Sequence, residues 1–294
     1  MADLEGNINA KNFHTDEPAP ELRTHVKGSG NLDYGLKRRL SRIFQEDGRT
    51  VMLAFDHGYF QGPTRGLERI DLTIAPLSPY ADALMGTRGI FRTSFQADGT
   101  VPIVVRASGG PSILRELSDE RLAMDIKDAA RMDASAVAVQ VFIGSEGETQ
   151  SVHNMTQLVD GGLEYGMPVL GVTAVGKQLT RDSRYLGLAT RIIAELGANM
   201  VKTYYCDEGF EDVVAGCPVP IIVAGGKKLE SLEALEMARK SIDSGAAGLD
   251  MGRNIFQRQD PAAMIQAVRA VVHDGLSAAD AHQKYRELSG GARD

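Results

Sequence analysis

The chain is predicted to fold as one (β/α)8 TIM barrel on three observations. Eight short apolar runs are each long enough for a strand buried on both faces, amphipathic helical patterns alternate with them, and the last two runs both end in glycine followed by a cation. The runs begin near Val51, Asp82, Pro102, Ser135, Pro168, Asn199, Pro220 and Ala247. Between them Glu116–Met132, Ser151–Tyr165, Tyr185–Leu196 and Ser231–Ser244 repeat apolar residues at helical spacing. Gly197 and Gly245 stand where a helix would end in the left-handed region before the next strand. Such alternation implies parallel pairing. A doubly wound open sheet gives the same local pattern, and the paired glycine turns favour the closed barrel.

Three segments are expected: an N-terminal arm and barrel-covering helix over 1–48, the catalytic barrel over 49–275, and a C-terminal helix and tail over 276–294. The arm has a Pro- and charge-rich start and a Gly28-Ser29-Gly30 turn. Tyr34, Leu36, Leu40, Ile43 and Phe44 follow at helical spacing, suited to covering the barrel's bottom. Lys37, Arg38, Arg39 and Arg42 read as the solvated face of that helix rather than a ligand site. Ser277 and Asp280 open the final helix as a capping pair.

A length of 294 residues with 43% hydrophobic content suits one large core. The net charge of -7 argues against nucleic acid or anionic membrane as partner, since both demand a basic footprint. No secretory signal or bilayer-length apolar run is visible, and the two cysteines, Cys206 and Cys217, fit a reducing cytoplasm. An anionic ligand must therefore find local positive charge.

Lys202 is the most informative position, a lysine inside the strand-like run Asn199-Met200-Val201-Lys202-Thr203-Tyr204-Tyr205. Lysine is rarely buried without a partner or a purpose. Strand alternation puts Met200, Lys202 and Tyr204 on one side, so the amine can point into the barrel. A desolvated amine loses basicity and becomes a nucleophile able to attack a ketone. The competing reading is a strand-end lysine whose ammonium reaches solvent.

Its neighbours favour chemistry. The seventh run ends Ala224-Gly225-Gly226-Lys227 and the eighth Met251-Gly252-Arg253-Asn254. Loops after strands seven and eight of such barrels often hold phosphate, because glycines let backbone amides approach and a short helix adds its dipole. Gly225, Gly226, Gly252 and Arg253 are the expected cradle, with Lys227 as a further candidate. Asp56-His57-Gly58 closes the first strand at the same rim. There Asp56 could hold an ammonium or relay a proton, and His57 could exchange protons near neutral pH, although both also suit a plain turn. Lys177, after the fifth strand, could depress the basicity of Lys202 or meet a cofactor anion, solvent exposure being the alternative. Cys206 is a weak candidate for an acyl-accepting nucleophile, having no histidine close in sequence. The remaining histidines make no HxH or HExxH spacing, so no metal is expected.

Together, Phe55-Asp56-His57-Gly58, Val201-Lys202-Thr203-Tyr204-Tyr205, Ala224-Gly225-Gly226-Lys227 and Met251-Gly252-Arg253-Asn254 resemble the archaeal-type class I fructose-bisphosphate aldolase family, over Thr50 to about His273. The resemblance implies that Lys202 is the Schiff-base lysine, that Asp56 lies beside it, and that the glycine turns and Arg253 receive a phosphate. It also implies a metal-independent enzyme and a large ring-type homo-oligomer, such as a decamer. Family aldolases carry a tyrosine acid/base on the fifth strand, where Thr173 stands in Val172-Thr173-Ala174. A threonine hydroxyl is a far poorer acid than a phenol. The whole chain looks most like the family's acyl-transferring branch, which implies a phosphorylated diketone substrate and coenzyme A as co-substrate. Aldol cleavage of a sugar phosphate such as fructose 1,6-bisphosphate, or transaldol transfer, is the alternative.

Overall fold

The computed structural model describes residues 26–174 and 182–291. Most of the N-terminal arm and Lys177 lie outside them. Eight parallel strands close into a barrel: β1 Thr50–Ala54, β2 Ala83–Thr87, β3 Ile103–Arg106, β4 Ala136–Val141, β5 Val169–Thr173, β6 Met200–Thr203, β7 Ile221–Ala224 and β8 Gly248–Met251. Each strand pairs with its sequence neighbours, and β8 closes on β1 with Val51 opposite Leu249 and Leu53 opposite Met251. The expected TIM barrel is thus the observed fold.

Alternation along the strands splits the core into two layers. Outward residues such as Val51, Leu53, Val137, Val139, Val201, Val223 and Leu249 pack under the helices. Inward residues Met52, Ala83, Met85, Val104, Ala136, Ala138, Leu170, Met200 and Ile222 fill the axis. Small and flexible side chains dominate inside because eight strands leave room for only one packed column.

The helix Tyr34–Ile43 plugs the bottom of that column. Asp33 caps it by accepting from the Leu36 amide at 2.9 Å. Leu40, Ile43 and Phe44 join the axial cluster, while Tyr34 remains exposed. Its basic face is less solvated than expected. Arg39 donates to the carbonyls of Tyr165, Gly166 and Ala134, and Arg42 pairs with Asp133. Unsatisfied carbonyls at a helix C-terminus attract such a cation, so Arg39 fastens the plug to the end of the helix Glu148–Tyr165.

One predicted element is corrected. Glu116–Met132 carries a helical pattern, yet only Ile126–Arg131 is helical, while Arg121–Leu122 pairs antiparallel with Ser108–Gly109. The amides of Ala123 and Met124 both donate to the Ala107 carbonyl, and the helix starts only where Asp125 caps the Asp128 amide. Long-range pairing with the segment after β3 overrides local periodicity. The helix Ala278–Leu288, opened by Ser277 accepting from Asp280, packs Ala281 and Tyr285 against the barrel's outer helices.

Two tests follow from the barrel's lower end. Leu40→Ala should cost about 2–5 kcal/mol, the usual range for emptying a buried leucine site, read by urea unfolding. His273 bridges Asp47 and Asp82 at 2.8 Å on each ring nitrogen; burial works against its protonation, but the two carboxylates hold its pKa above the ordinary value. A raised folded-state pKa stabilises below the unfolded pKa and is lost as pH rises through the folded one. His273→Ala should therefore lower the melting temperature more at pH 6 than at pH 9.

Candidate active site

The C-terminal ends of the strands bring together side chains from β1, β3, β4, β6 and β8. Lys202 projects inward from β6, with a side chain only 10% exposed, and its Nζ lies 2.6 Å from Asp250 Oδ2 on β8 and 3.5 Å from Met85 Sδ. Between the two strands lies β7, with Ala224 in register with Asp250. The side chain of Asp250 is fully buried, and apart from Lys202 no donor among the described residues reaches either of its carboxylate oxygens.

This pairing revises the expected state of the lysine. Burial pulls its pKa down, but Asp250 and then Asp56 outweigh that pull and hold it above the ordinary value. Burial pushes the Asp250 carboxyl up, with Lys202 opposing. Lys202 is thus an ammonium paired to a reluctant carboxylate rather than a standing neutral amine.

Asp56, expected beside the lysine, is spoken for by another cation. Arg106 on β3 donates to Asp56 Oδ2 at 2.6 Å, to Glu120 Oε1 at 2.6 Å and to Gln140 on β4. Its guanidinium lies 4.7 Å from the Tyr59 ring centroid, and Tyr59 donates to Glu120 at 2.5 Å. Ser108 completes the cluster by donating to Glu120 Oε2 at 2.6 Å. Burial tends to raise the Asp56 pKa, yet Arg106 and Lys202 keep it below the ordinary value. A planar guanidinium suits this site because its fork serves several acceptors at once.

His57 stacks on Phe256 with centroids 5.8 Å apart, and its Nε2 is buried without a hydrogen-bond partner among the described residues. Desolvation drives its pKa down to about 4, with Asp56 opposing and Arg253 assisting. The ring is therefore held neutral near pH 7, a weaker base than the expected proton-exchange role assumes. Thr173 is also displaced from its expected one. It lies on the outward face of β5 and donates to Thr203 Oγ1 at 2.9 Å and to the Lys202 carbonyl at 3.2 Å. The inward positions of β5 are Leu170 and Val172, the latter in register with Lys202. Neither can move a proton.

The two glycine turns do meet. Arg253 donates to the Gly226 carbonyl at 2.7 Å, and Asn254, fully buried, bonds the carbonyls of Gly225 and Lys227 and the Leu229 amide. Gly226 has φ +66°, and a Cβ on Gly252 would sit 2.3 Å from the Ala54 carbonyl oxygen. Glycine is required at both. Tyr204 is half-buried near Lys202 and helps to hold the lysine's pKa up, whereas Lys227 is exposed. Cys206 is half-buried, and burial with Asp182, Asp207 and Glu211 raises its pKa, which favours the unreactive thiol. Among the described residues no group of three or more His, Cys, Asp or Glu is gathered for a metal ion, and no helix is long and apolar enough to cross a membrane.

Arg106 and Asp250 carried a signal in the sequence: alternation from Val104 and from Leu249 points each inward. Glu120 carried none, because its segment has helical periodicity. Asn254 follows the glycine turn but reads as an ordinary turn residue.

A closed barrel with an inward lysine under paired glycine turns defines an aldolase-class enzyme. Residues 50–258 match the DeoC/LacD family aldolases, and the chain belongs to that family. It is 57% identical over 99% of its length, and the whole of the relative, to the 3-hydroxy-5-phosphonooxypentane-2,4-dione thiolase of Salmonella paratyphi A. It is also similar to two solved structures. An archaeal fructose 1,6-bisphosphate aldolase matches with TM-score 0.74 at 26% identity, covering 82% of this chain and 100% of that one. A Schiff-base-forming fructose-1,6-bisphosphate aldolase matches with TM-score 0.73 at 25% identity, covering 81% and 100%.

Removing the central cation tests the cluster. Arg106→Met should destabilise the fold by about 3–5 kcal/mol, because Asp56 and Glu120 would be left as buried charges without their partner. Chemical unfolding near pH 7 measures the loss. The deficit should shrink at low pH, as the Asp56 carboxyl that Arg106 holds below its ordinary pKa becomes protonated.

Proposed function

We propose that the protein is an acyltransferase of aldolase type. It cleaves 3-hydroxy-5-phosphonooxypentane-2,4-dione with coenzyme A to dihydroxyacetone phosphate and acetyl-CoA, in the breakdown of phosphorylated autoinducer-2, a quorum-sensing signal. The observation that carries this reading is the inward Lys202, 2.6 Å from Asp250 at the catalytic end of a barrel shared almost end to end with a thiolase relative.

In this reading Lys202 condenses with the ketone next to the phosphate-bearing carbon, releasing water and leaving an iminium. The coenzyme A thiolate attacks the distal acetyl carbonyl, and the bond between the acetyl carbon and the hydroxyl-bearing carbon breaks. Its electron pair moves into the iminium, giving an enamine. Protonation and hydrolysis release dihydroxyacetone phosphate and restore the lysine. Lysine thereby serves as the electron sink, and Cys206, held as a thiol, takes no part.

The phosphate is assigned to the turns Gly225-Gly226 and Gly252-Arg253, whose glycines permit close backbone approach. The half-buried Tyr204 lies beside the condensing amine, and the exposed Lys227 is a cation available to an anionic co-substrate, a role also assigned to Lys177 on its place in the sequence alone. His57, its ring held neutral and its Nε2 without a hydrogen-bond partner among the described residues, offers a hydrogen bond to a substrate oxygen. The absence of an acid/base on the inward face of β5 among the described residues favours acyl transfer over ordinary aldol cleavage. We place the reaction in the cytoplasm, where coenzyme A is held, and assign a homo-oligomeric assembly of decameric type.

Incubation with the phosphorylated diketone should yield acetyl-CoA only when coenzyme A is present, read by mass spectrometry. Triose phosphate release from fructose 1,6-bisphosphate without coenzyme A at a comparable rate would instead establish the aldolase. Borohydride should trap substrate on Lys202, and an active Lys202→Ala enzyme would refute the assignment. Arg253→Met should raise KM for the phosphorylated substrate by about 10-fold or more, with a smaller effect on kcat, as expected for loss of a phosphate contact. Light scattering at the monomer mass of 31.7 kDa would overturn the assembly.

A further inference from the structure

We propose that Asp250 is the proton carrier of Schiff-base formation, taking the proton from the Lys202 ammonium and returning it to the carbinolamine hydroxyl as water leaves. This rests on the Schiff-base reading above and adds to it a residue and a step.

Four observations converge on Asp250. Its Oδ2 is the acidic oxygen nearest the reacting nitrogen, at 2.6 Å. Its side chain is fully buried, and no donor other than Lys202 reaches either carboxylate oxygen among the described residues, so nothing there competes with the amine's proton. Asp56, the other carboxylate near the lysine, is bound to Arg106 at 2.6 Å and stays ionised through that pairing. His57 cannot substitute, since its ring is held neutral by desolvation. The groups facing the pair are Asp56 just beyond the end of β1, Arg106 from β3 and Tyr204 beyond β6; Asp56 and Arg106 are held by their mutual pairing, and Asp250 is the acidic group in direct contact with the amine.

The balance closes over the step. Transfer of one proton from Nζ to Oδ2 leaves a neutral amine and a neutral carboxyl. The nitrogen lone pair then forms the bond to the ketone carbon, and the carbonyl π pair moves to oxygen. A proton passes from nitrogen to that oxygen, giving the neutral carbinolamine. Asp250 next protonates the hydroxyl, the carbon-oxygen bond breaks, and water leaves as the nitrogen pair forms the iminium double bond. Of the ammonium's three protons one remains on nitrogen and two leave in water, and Asp250 ends as the carboxylate that faces the new cation. Burial of the carboxylate matters here, because a base too comfortable in its ionised form would not accept the proton.

The test compares borohydride trapping of dihydroxyacetone phosphate on Lys202 in the wild type, Asp250→Asn and Asp250→Glu across pH 6 to 10. Asp250→Asn keeps the volume and removes the base; it should trap at least about 100-fold more slowly at every pH, the usual size of a lost acid/base. Asp250→Glu keeps the buried charge pair and should recover a measurable part of that loss. A purely electrostatic role predicts the opposite sign, since an unpaired Lys202 would lose its proton more easily and trap faster at neutral pH. Asp250→Asn trapping as fast as the wild type, or Asp250→Glu trapping no better than Asp250→Asn, would overturn the proposal. If Asp250→Asn does not fold, Asp250→Glu against wild type carries the comparison: its trapping should be slowed with an unchanged pH profile, and an unslowed rate refutes the step. A wild-type protein that fails to trap at Lys202 at all would strike the Schiff-base reading itself, so the two failures remain distinguishable.

Discussion

Charge buried at the top of the barrel is the constraint on which the rest of the structure depends. Lys202, Asp250, Asp56, Arg106 and Glu120 all sit where bulk water is largely excluded. An isolated ion in such a place is expensive, and each is tolerated only because a counter-ion lies within 2.6 Å. Every strand end that contributes one of these groups must therefore hold its register. A slip of one residue would turn Lys202 or Asp250 into the apolar layer under the helices and bring Val201 or Leu249 to the axis.

The lower half of the barrel provides that precision. The axis is packed with Met52, Met85, Met200, Leu170 and small alanines, and the N-terminal helix seals it from below. This apolar column excludes water from one side of the charged layer, while the catalytic mouth admits substrate from the other. Arg39 ties the plug to the end of a barrel helix, and the Asp47–His273–Asp82 bridge ties the following turn to the helix Pro261–Val272. The stabilising end and the chemical end are thereby separated along one axis, as the fold allows.

Within the charged layer the two cations have different employment. Arg106 is never deprotonated and spreads its fork over Asp56, Glu120 and Gln140, so it organises the floor without taking part in proton movement. Lys202 meets Asp250, whose carboxylate has no other donor among the described residues, so this pair stands outside the guanidinium's network. The difference lies in the number of partners, and it separates scaffold from chemistry in a space a few ångströms wide.

Barrel strands, helix order, the inward lysine and the two glycine turns were legible in the chain because each rests on local periodicity or on the steric freedom of glycine. Alternation even contained Arg106 and Asp250, although nothing local says which inward polar residue meets which. The partner exchange that gives Asp250 to Lys202 and Asp56 to Arg106, the extended path of Glu120 through an apparent helix, and the outward turn of Thr173 were decided by the closed sheet. Those are relations between strands far apart in sequence, set by stagger and by the cost of unpaired buried charge, and one-dimensional spacing cannot express them.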